Sequence, residues 1–350
     1  MTTFHHALRR RFVFRSLAAW LAAGSMATAA MPVALAQEGS AAAASRTPTG
    51  KVPAAVSVLS IVEHPSLDAL RDGLHDELKD AGYQDGKSLH WAYQSAQGNQ
   101  GTAVQIARKF VGDRPDVIVP IATPAAQAVV SATHQIPVVY NAITDPIAAQ
   151  IVKSMAPSGT NVTGVSDKLV ADRQVAFIKR VVPDVKRVGI IYSPAEANSV
   201  SATREMKVAL EKQGISLVEV AAPRSIDVGQ AAQRLVGKVD VIYTSNDNNV
   251  ISAYESVIKV ANAAKIPLIC ADRSSVQRGA TGAMAIDYYR MGRQTGRMVL
   301  RILNGEKPGD IASETSDRLD ITLNLDAARR QGATLSPELQ AEASEIFSKP

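Results

Sequence analysis

Short, nearly continuous apolar runs alternate along this chain with segments whose apolar positions recur every three or four residues. The runs occupy 56–62, 117–121, 136–140, 188–192, 239–243 and 266–270. Such unbroken runs predict strands buried on both faces, the condition of a parallel sheet covered by helices. Between them Leu67, Leu70, Leu74 and Leu78 mark one apolar helix stripe, and Val250, Ala253, Val257, Ala261 and Ala264 mark another. Strands and helices in alternation predict right-handed βαβ crossovers and a doubly wound α/β sheet. The order of signals then occurs twice. A strand at 56–62, a helix closed near Gly82, a strand at 89–93, Asp116-Val117-Ile118 and Ile136-Pro137-Val138-Val139 are followed by their counterparts at 188–192, Gly214, 217–220, Asp240-Val241-Ile242 and Ile266-Pro267-Leu268-Ile269. Two equivalent α/β lobes of about 100–130 residues follow, a size typical of single domains.

Charge sharpens the reading at the N-terminus. The net charge of +5 comes largely from Arg9, Arg10, Arg11 and Arg15, in a stretch (1–36) without Asp or Glu. Taking those four from 38 leaves 34 basic residues against 33 acidic ones. A mature chain so balanced has no surplus for a basic face, and nucleic acid is excluded as a partner. The arginines precede an apolar stretch that ends in Ala34-Leu35-Ala36, the pattern of a cleaved export leader. Gly24, Ser25, Thr28 and Pro32 interrupt it, unlike a membrane anchor. Arg9-Arg10-Arg11-Phe12 resembles a twin-arginine signal. A signal peptide at 1–36 and a flexible linker at 37–52 are therefore expected, with the mature protein in the periplasm.

In an open parallel sheet, ligands bind beyond the carboxyl ends of the strands. After the first strand come Glu63, His64 and Pro65, with Ser66 as a candidate helix cap. After Ile121 come Thr123, Pro124, Ala125 and Ala126. Pro suits a first helical turn, and the free N–H groups there accept a carboxylate. Thr123 either caps that helix or faces a ligand. Other strand ends carry Thr144 and Asp145, Glu196 and Asn198, Asp247, and Asp272. Singly, each acidic residue is a turn or cap residue. Converging on one cleft, they would meet an ammonium group, with Asp247 or Asp272 favoured, while Thr123 and backbone N–H groups hold a carboxylate. Tyr140, Tyr192 and Tyr243 end strands and offer rings for stacking or for packing at the sheet rim.

Catalytic signatures are missing: no G-x-S-x-G, Walker A, G-x-G-x-x-G after a strand or H-E-x-x-H occurs. The four histidines beyond the leader show no metal spacing, and Cys270, alone and in an apolar run, reads as an inert core thiol. No catalytic residue, cofactor or metal is expected.

Several segments together resemble one family. They are Ile61–Asp68, Ala122–Gln127, Thr144-Asp145-Pro146, Asn161–Asp167, Tyr192 with Glu196 and Asn198-Ser199, and Asp247-Asn248-Asn249. The chain resembles ABC-transporter substrate-binding proteins related to the tryptophan/tyrosine receptors, of the type I periplasmic-binding-protein fold. The resemblance implies two lobes joined by three crossover segments, hinge closure on a small solute, delivery to a membrane permease, and a helix at 287–303 returning to the first lobe. Lobe 1 would comprise 53–160 and about 287–315, lobe 2 161–286 and about 316–350. It also implies ligand positions at Glu63, Thr123, Thr144, Asp145, Glu196, Asn198, Asp247 and Asp272. The favoured cargo is an amino acid, bound by a monomer. A sensory receptor signalling to a membrane kinase or chemoreceptor is the alternative; a carboxylate-dependent enzyme using Glu196 and Asp145 is a more distant one.

Overall fold

The computed structural model describes residues 47–316 and 318–348. The expected leader, its cleavage point and most of the linker lie outside the described residues. The chain first runs through β1 (Ala54–Ser60), α1 (Pro65–Asp80), β2 (Leu89–Ser95), α2 (Gln100–Asp113), β3 (Val117–Ile121), α3 (Thr123–Ala132), β4 (Val138–Asn141) and β5 (Val162–Ser166). It then crosses to α4 (Ala171–Val181), β6 (Arg187–Tyr192), α5 (Ala197–Glu211), β7 (Ser216–Ala221), α6 (Val228–Gln233), β8 (Val241–Thr244), α7 (Asn248–Ser252), α8 (Tyr254–Ala264), β9 (Leu268–Asp272), α9 (Arg273–Arg278) and β10 (Gly282–Ile286). A second crossing leads to α10 (Tyr288–Leu303) and β11 (Glu314–Thr315), and a third to β12 (Leu319–Asn324), α11 (Leu325–Arg330), α12 (Pro337–Glu342) and β13 (Glu345–Phe347).

Two sheets result, ordered β11-β5-β4-β3-β1-β2 and β13-β12-β10-β9-β8-β6-β7. The run β2-β1-β3-β4-β5 repeats as β7-β6-β8-β9-β10, so the duplicated signals are two copies of one winding. Every pairing in the first sheet is parallel; in the second, β12 alone runs antiparallel, against β10. Apolar strands with no exposed face explain this: Val117, Ile118, Val119 and Ile121 are fully buried, as are Val241 and Ile242. The architecture is the two-lobed α/β plan with three crossovers.

Four expectations need correction. The first crossover comes after Ser166 and not near 160, because Val162–Ser166 pairs with β4 and completes the first sheet. The helix expected across 250–264 is broken at Ala253 (φ −110°, ψ 28°) into α7 and α8. Residues 49–51, assigned to a flexible linker, are tied to lobe 1: the Lys51 N–H donates to Leu303 O at 2.9 Å, Thr49 bonds Asn304, and Lys51 pairs with Asp116. Ser66 does not cap α1; His64 does, its Nδ1 accepting from the Leu67 N–H. Cys270 is buried in the core of the second lobe, where burial and the nearby Asp272 charge push its thiol up.

Candidate functional site

The strand tips of the two lobes meet. Across the gap α3 touches α5, and α1 touches α9. Ser66 Oγ on α1 donates to Asp272 Oδ1 at 2.9 Å and lies 2.8 Å from Ser274 Oγ on α9. Ser201 Oγ on α5 donates to Asp145 Oδ2 at 3.0 Å, and Gln100 Nε2 to the Ala195 carbonyl at 3.2 Å. The lobes are therefore closed on each other. A cavity of about 250 Å³ remains at the mouth between them, lined among others by Gln97, Gln100, Pro124, Glu196, Arg224 and Asn249.

On the first lobe the centre of the site is the start of α3. Ala122 holds the cap position at φ 72° and ψ 156°, and no side chain caps the helix. Thr123 is thus the first helical residue and not the cap. Its hydroxyl is buried and has no partner among the described residues. β4 lies beside β3, the Ala122 N–H donates to Asn141 O at 3.0 Å, and both polar atoms of the Asn141 amide are likewise buried and unpartnered. An uncapped N-terminus with positive dipole character, flanked by a hydroxyl and an amide, presents donors of the kind that can accept an anion. Pro124, Ala125 and Ala126 are buried behind it.

The facing wall of lobe 2 is rich in acceptors. α5 also starts without a side-chain cap: Glu196 occupies the position but does not close on its own helix. Its Oε2 accepts from Asn198 Nδ2 (3.1 Å), Asn248 Nδ2 (2.6 Å) and the Asn248 N–H (3.3 Å). Burial, reinforced by the neighbouring Asp247 charge, pushes its carboxyl up to about 7 against the pull of those donors. Asn198 Oδ1, Ser245 Oγ and Asn246 Oδ1 are buried without partners among the described residues.

Other expected site residues have different employment. Asp247 is fully buried within lobe 2 and saturated there: Oδ2 accepts from the Ser193 N–H (2.6 Å) and Ser199 Oγ (2.6 Å), Oδ1 from Ser193 Oγ (2.9 Å) and the Val250 N–H (2.9 Å). A carboxylate has about four acceptor positions, so Asp247 is not free to hold an ammonium group. Asp272 caps α9 and takes Ser66, Ser274 and the Ser275 N–H, all on Oδ1. Thr144 Oγ1 donates to Asp167 at 2.9 Å. Asp145 caps its own turn through the Ala148 N–H and faces Lys168 at 3.6 Å. Burial works to raise its carboxyl, but the Ala148, Ser201 and Lys168 donors outweigh it and hold it below the usual range. Glu63 is exposed on the lobe 1 rim, accepting from Tyr93 and Gln97. His64 is buried beside the lobe interface; desolvation, only partly offset by the Asp272 charge and aided by Arg278, pushes its imidazole down to about 4. Sequence reasoning did not single out Ser66 as a lobe contact, nor Asn141, Asp167, Ser245 and Asn246 as site residues. All but Asp167 stand in the tip segments that it read, and Asp167 ends a segment quoted for the resemblance. Small polar residues in a tip carry no local mark that separates a ligand-facing side chain from a solvated one.

Known proteins give this geometry a context. A model of the family described as ABC transporter substrate binding protein matches residues 55–347. A protein named tyrosine-binding protein from Clostridioides difficile (strain R20291) is 39% identical over 274 residues, 78% of this chain and 79% of that protein. The crystal structure of an ABC domain in complex with L-Trp from Streptococcus pneumonia is 34% identical, with a TM-score of 0.81 over 84% of this chain and 99% of that one. The ligand-free, open structure of a substrate binding protein with adhesive properties from Clostridium difficile is 37% identical and covers 85% of this chain and all of that one, yet its TM-score is 0.65. The identities are nearly equal, so the better superposition on the ligand-bound structure agrees with the closed lobes seen here. A match over almost all described residues, with relatives above 30% identity across more than two thirds of their length, places this chain in the ABC transporter substrate binding protein family.

Proposed function

We propose that this protein is an exported receptor that captures an α-amino acid between its lobes and delivers it to an ABC permease, acting as a periplasmic monomer after removal of the leader near Ala36 and catalysing no reaction. The observation that carries the reading is the polarity of the unpartnered groups. Lobe 1 offers the free α3 N-terminus with the unpartnered Thr123 hydroxyl and Asn141 amide nitrogen; lobe 2 offers the unpartnered Asn198 Oδ1 and Asn246 Oδ1 together with the carboxylate of Glu196, whose Oε2 is held by Asn198 and Asn248. Donors facing acceptors across a cleft suit a zwitterion, carboxylate toward α3 and ammonium toward lobe 2. The ammonium partner is Glu196, because Asp247 is saturated. An ammonium group beside Glu196 would hold its carboxyl ionised. Relatives named for tyrosine and solved with L-Trp support an aromatic side chain in the cargo. The ligand positions proposed are Thr123, Pro124, Ala125, Asn141, Glu196, Asn198 and Asn246, with His64 and Asp272 forming the closure surface.

Titration calorimetry with L-tyrosine, L-tryptophan, tyramine and 3-(4-hydroxyphenyl)propionate tests this. Tyramine lacks the carboxylate and the propionate lacks the ammonium, so each is expected to bind at least tenfold more weakly than L-tyrosine. Equal binding of either analogue, or chemical turnover of any of the four, overturns the reading.

A further inference from the structure

Asp167 directly follows β5 and opens the first crossover. Its side chain is buried, 2% exposed, and no cation pairs with it among the described residues. Three neutral donors satisfy it, each from a different part of the chain. Thr144 Oγ1 (2.9 Å) comes from the loop after β4 in lobe 1, Asn246 Nδ2 (2.9 Å) from the tip of β8 in lobe 2, and Tyr288 Oη (2.8 Å) from the start of α10, past the second crossover. One carboxylate thus joins both lobes and two of the three crossovers. The next residue, Lys168, repeats the arrangement at the surface, reaching Glu205 on α5 at 2.7 Å and Asp145 of lobe 1 at 3.6 Å. Exposed ion pairs of that kind contribute little. A buried carboxylate that loses a donor is a larger matter, because its charge is desolvated and its partners fix it.

Asn246 is held from both ends. Its backbone carbonyl accepts from Asn198 Nδ2 at 2.8 Å. An ionised carboxylate only accepts, so Asp167 takes the nitrogen end of the Asn246 amide and leaves its oxygen end buried and unpartnered. Asn246, Ser245 and Gln174, each with such an unpartnered atom, line a void of about 30 Å³ that Thr144 of lobe 1 and Leu169 of the crossover help to close.

We infer that Asp167 is the positioning residue that couples closure of the lobes to cargo capture: its bond to Asn246 forms across the lobes when they shut, and the same bond holds the Asn246 amide by its nitrogen and leaves its oxygen free as an acceptor. The cargo half rests on the receptor reading above; the closure half rests on the hinge geometry alone.

The test uses the full mature protein with spin labels on cysteines introduced at the exposed Val104 of α2 and Val208 of α5, and reads label distances together with L-tyrosine affinity. Asp167→Asn places an amide N–H₂ among three donors. It is expected to lower the closed population and to weaken L-tyrosine binding about 10- to 100-fold, the range for losing a hydrogen bond to a charged group. The exchange Asp167→Asn with Asn246→Asp restores a donor–acceptor pair and is expected to recover affinity and closure to within about threefold of the parent, well inside the loss of either single change. If Asp167→Asn does not fold, Asn246→Ala, which leaves Thr144 and Tyr288 in place, is read on the label distances alone, because Asn246 is itself a proposed ligand position, and is expected to lower the closed population. Unchanged distances and affinity in the single variants, or an exchange no better than its components, overturn the inference. Should the parent bind neither L-tyrosine nor L-tryptophan, the amino-acid reading falls by itself, and the unliganded distance distributions alone then decide for or against the closure device.

Discussion

Thr123 and Asp247 stand on opposite sides of the cleft and spend their polar atoms in opposite ways. The Thr123 hydroxyl is buried with no partner among the described residues, whereas each Asp247 oxygen receives two donors. Burying an unpaired hydroxyl costs about 1–3 kcal/mol. Thr123→Val should therefore leave the melting temperature of the free protein unchanged or higher, while weakening L-tyrosine binding about 10- to 100-fold. Asp247→Asn should do the reverse: it turns two acceptors into N–H groups facing donors and should cost about 2–4 kcal/mol of stability by chemical denaturation. A Thr123→Val variant that unfolds early but binds normally would refute this division of labour. The same contrast shows what was legible. Thr123-Pro124 after an apolar run announces a helix start locally, but the free hydroxyl depends on Ala122 adopting φ 72°, which no spacing reveals. Asp247 and Asp272 were read as caps when taken singly, and they cap α7 and α9; that Asp247 is saturated was not legible, because three of its four donors come from Ser193 and Ser199, some 50 residues away, and only one from the nearby Val250.

At the scale of elements, the pair α1–α10 carries lobe 1 across the largest gap in sequence. α10 arrives from lobe 2, and it fits because both helices present glycine at the crossing. A Cβ built on Gly292 would lie 2.1 Å from Leu70 O, one on Gly73 2.1 Å from Tyr289 O, and one on Gly296 2.5 Å from Glu77 Cβ. Gly292→Ala should accordingly force the helices apart and destabilise by more than about 2 kcal/mol. Gly112→Ala in α2, where a Cβ meets nothing within 4 Å, should stabilise by about 0.5–1 kcal/mol through helix propensity. Urea midpoints of the two variants moving in the same direction would contradict the crossing argument. The return of this helix was implied by the family resemblance and not by periodicity, since a stripe ending in Leu303 says nothing of its neighbour. Strands buried on both faces were plain in the sequence, because they have no polar face to confuse the pattern. β5 was missed because Val162-Thr163-Gly164-Val165-Ser166 mixes polar and apolar residues although all five are buried, and Thr163 is satisfied by the distant Ile311 carbonyl at 3.0 Å.

The whole molecule sets two buried titrating groups against each other at its lobe interface. Burial and the Asp247 charge hold the Glu196 carboxyl near 7, above its usual 4.5. The folded protein therefore keeps that proton more tightly than the unfolded chain, and this contribution to stability, complete below pH 4.5, is lost as the pH rises through 7. His64 behaves in the opposite sense. Desolvation, opposed by Asp272 and aided by Arg278, holds its imidazole near 4, below the usual 6.5, so its contribution is complete above pH 6.5 and is lost as the pH falls through 4. Each shift corresponds to about 3 kcal/mol at most. Between pH 6.5 and 4.5 the two contributions nearly cancel, and removing one should expose the other. Glu196→Gln should lose up to about 3 kcal/mol relative to the parent as the pH is lowered from 7 to 4.5, whereas His64→Asn, which retains a helix-capping side chain, should gain a similar amount over the same interval. The difference from the parent at each pH, taken from urea denaturation of the ligand-free protein, removes the background of the other carboxylates. Two difference curves of opposite slope are required; parallel or flat curves would mean that these groups are not desolvated as the closed lobes make them, and that the ligand-free protein spends its time open.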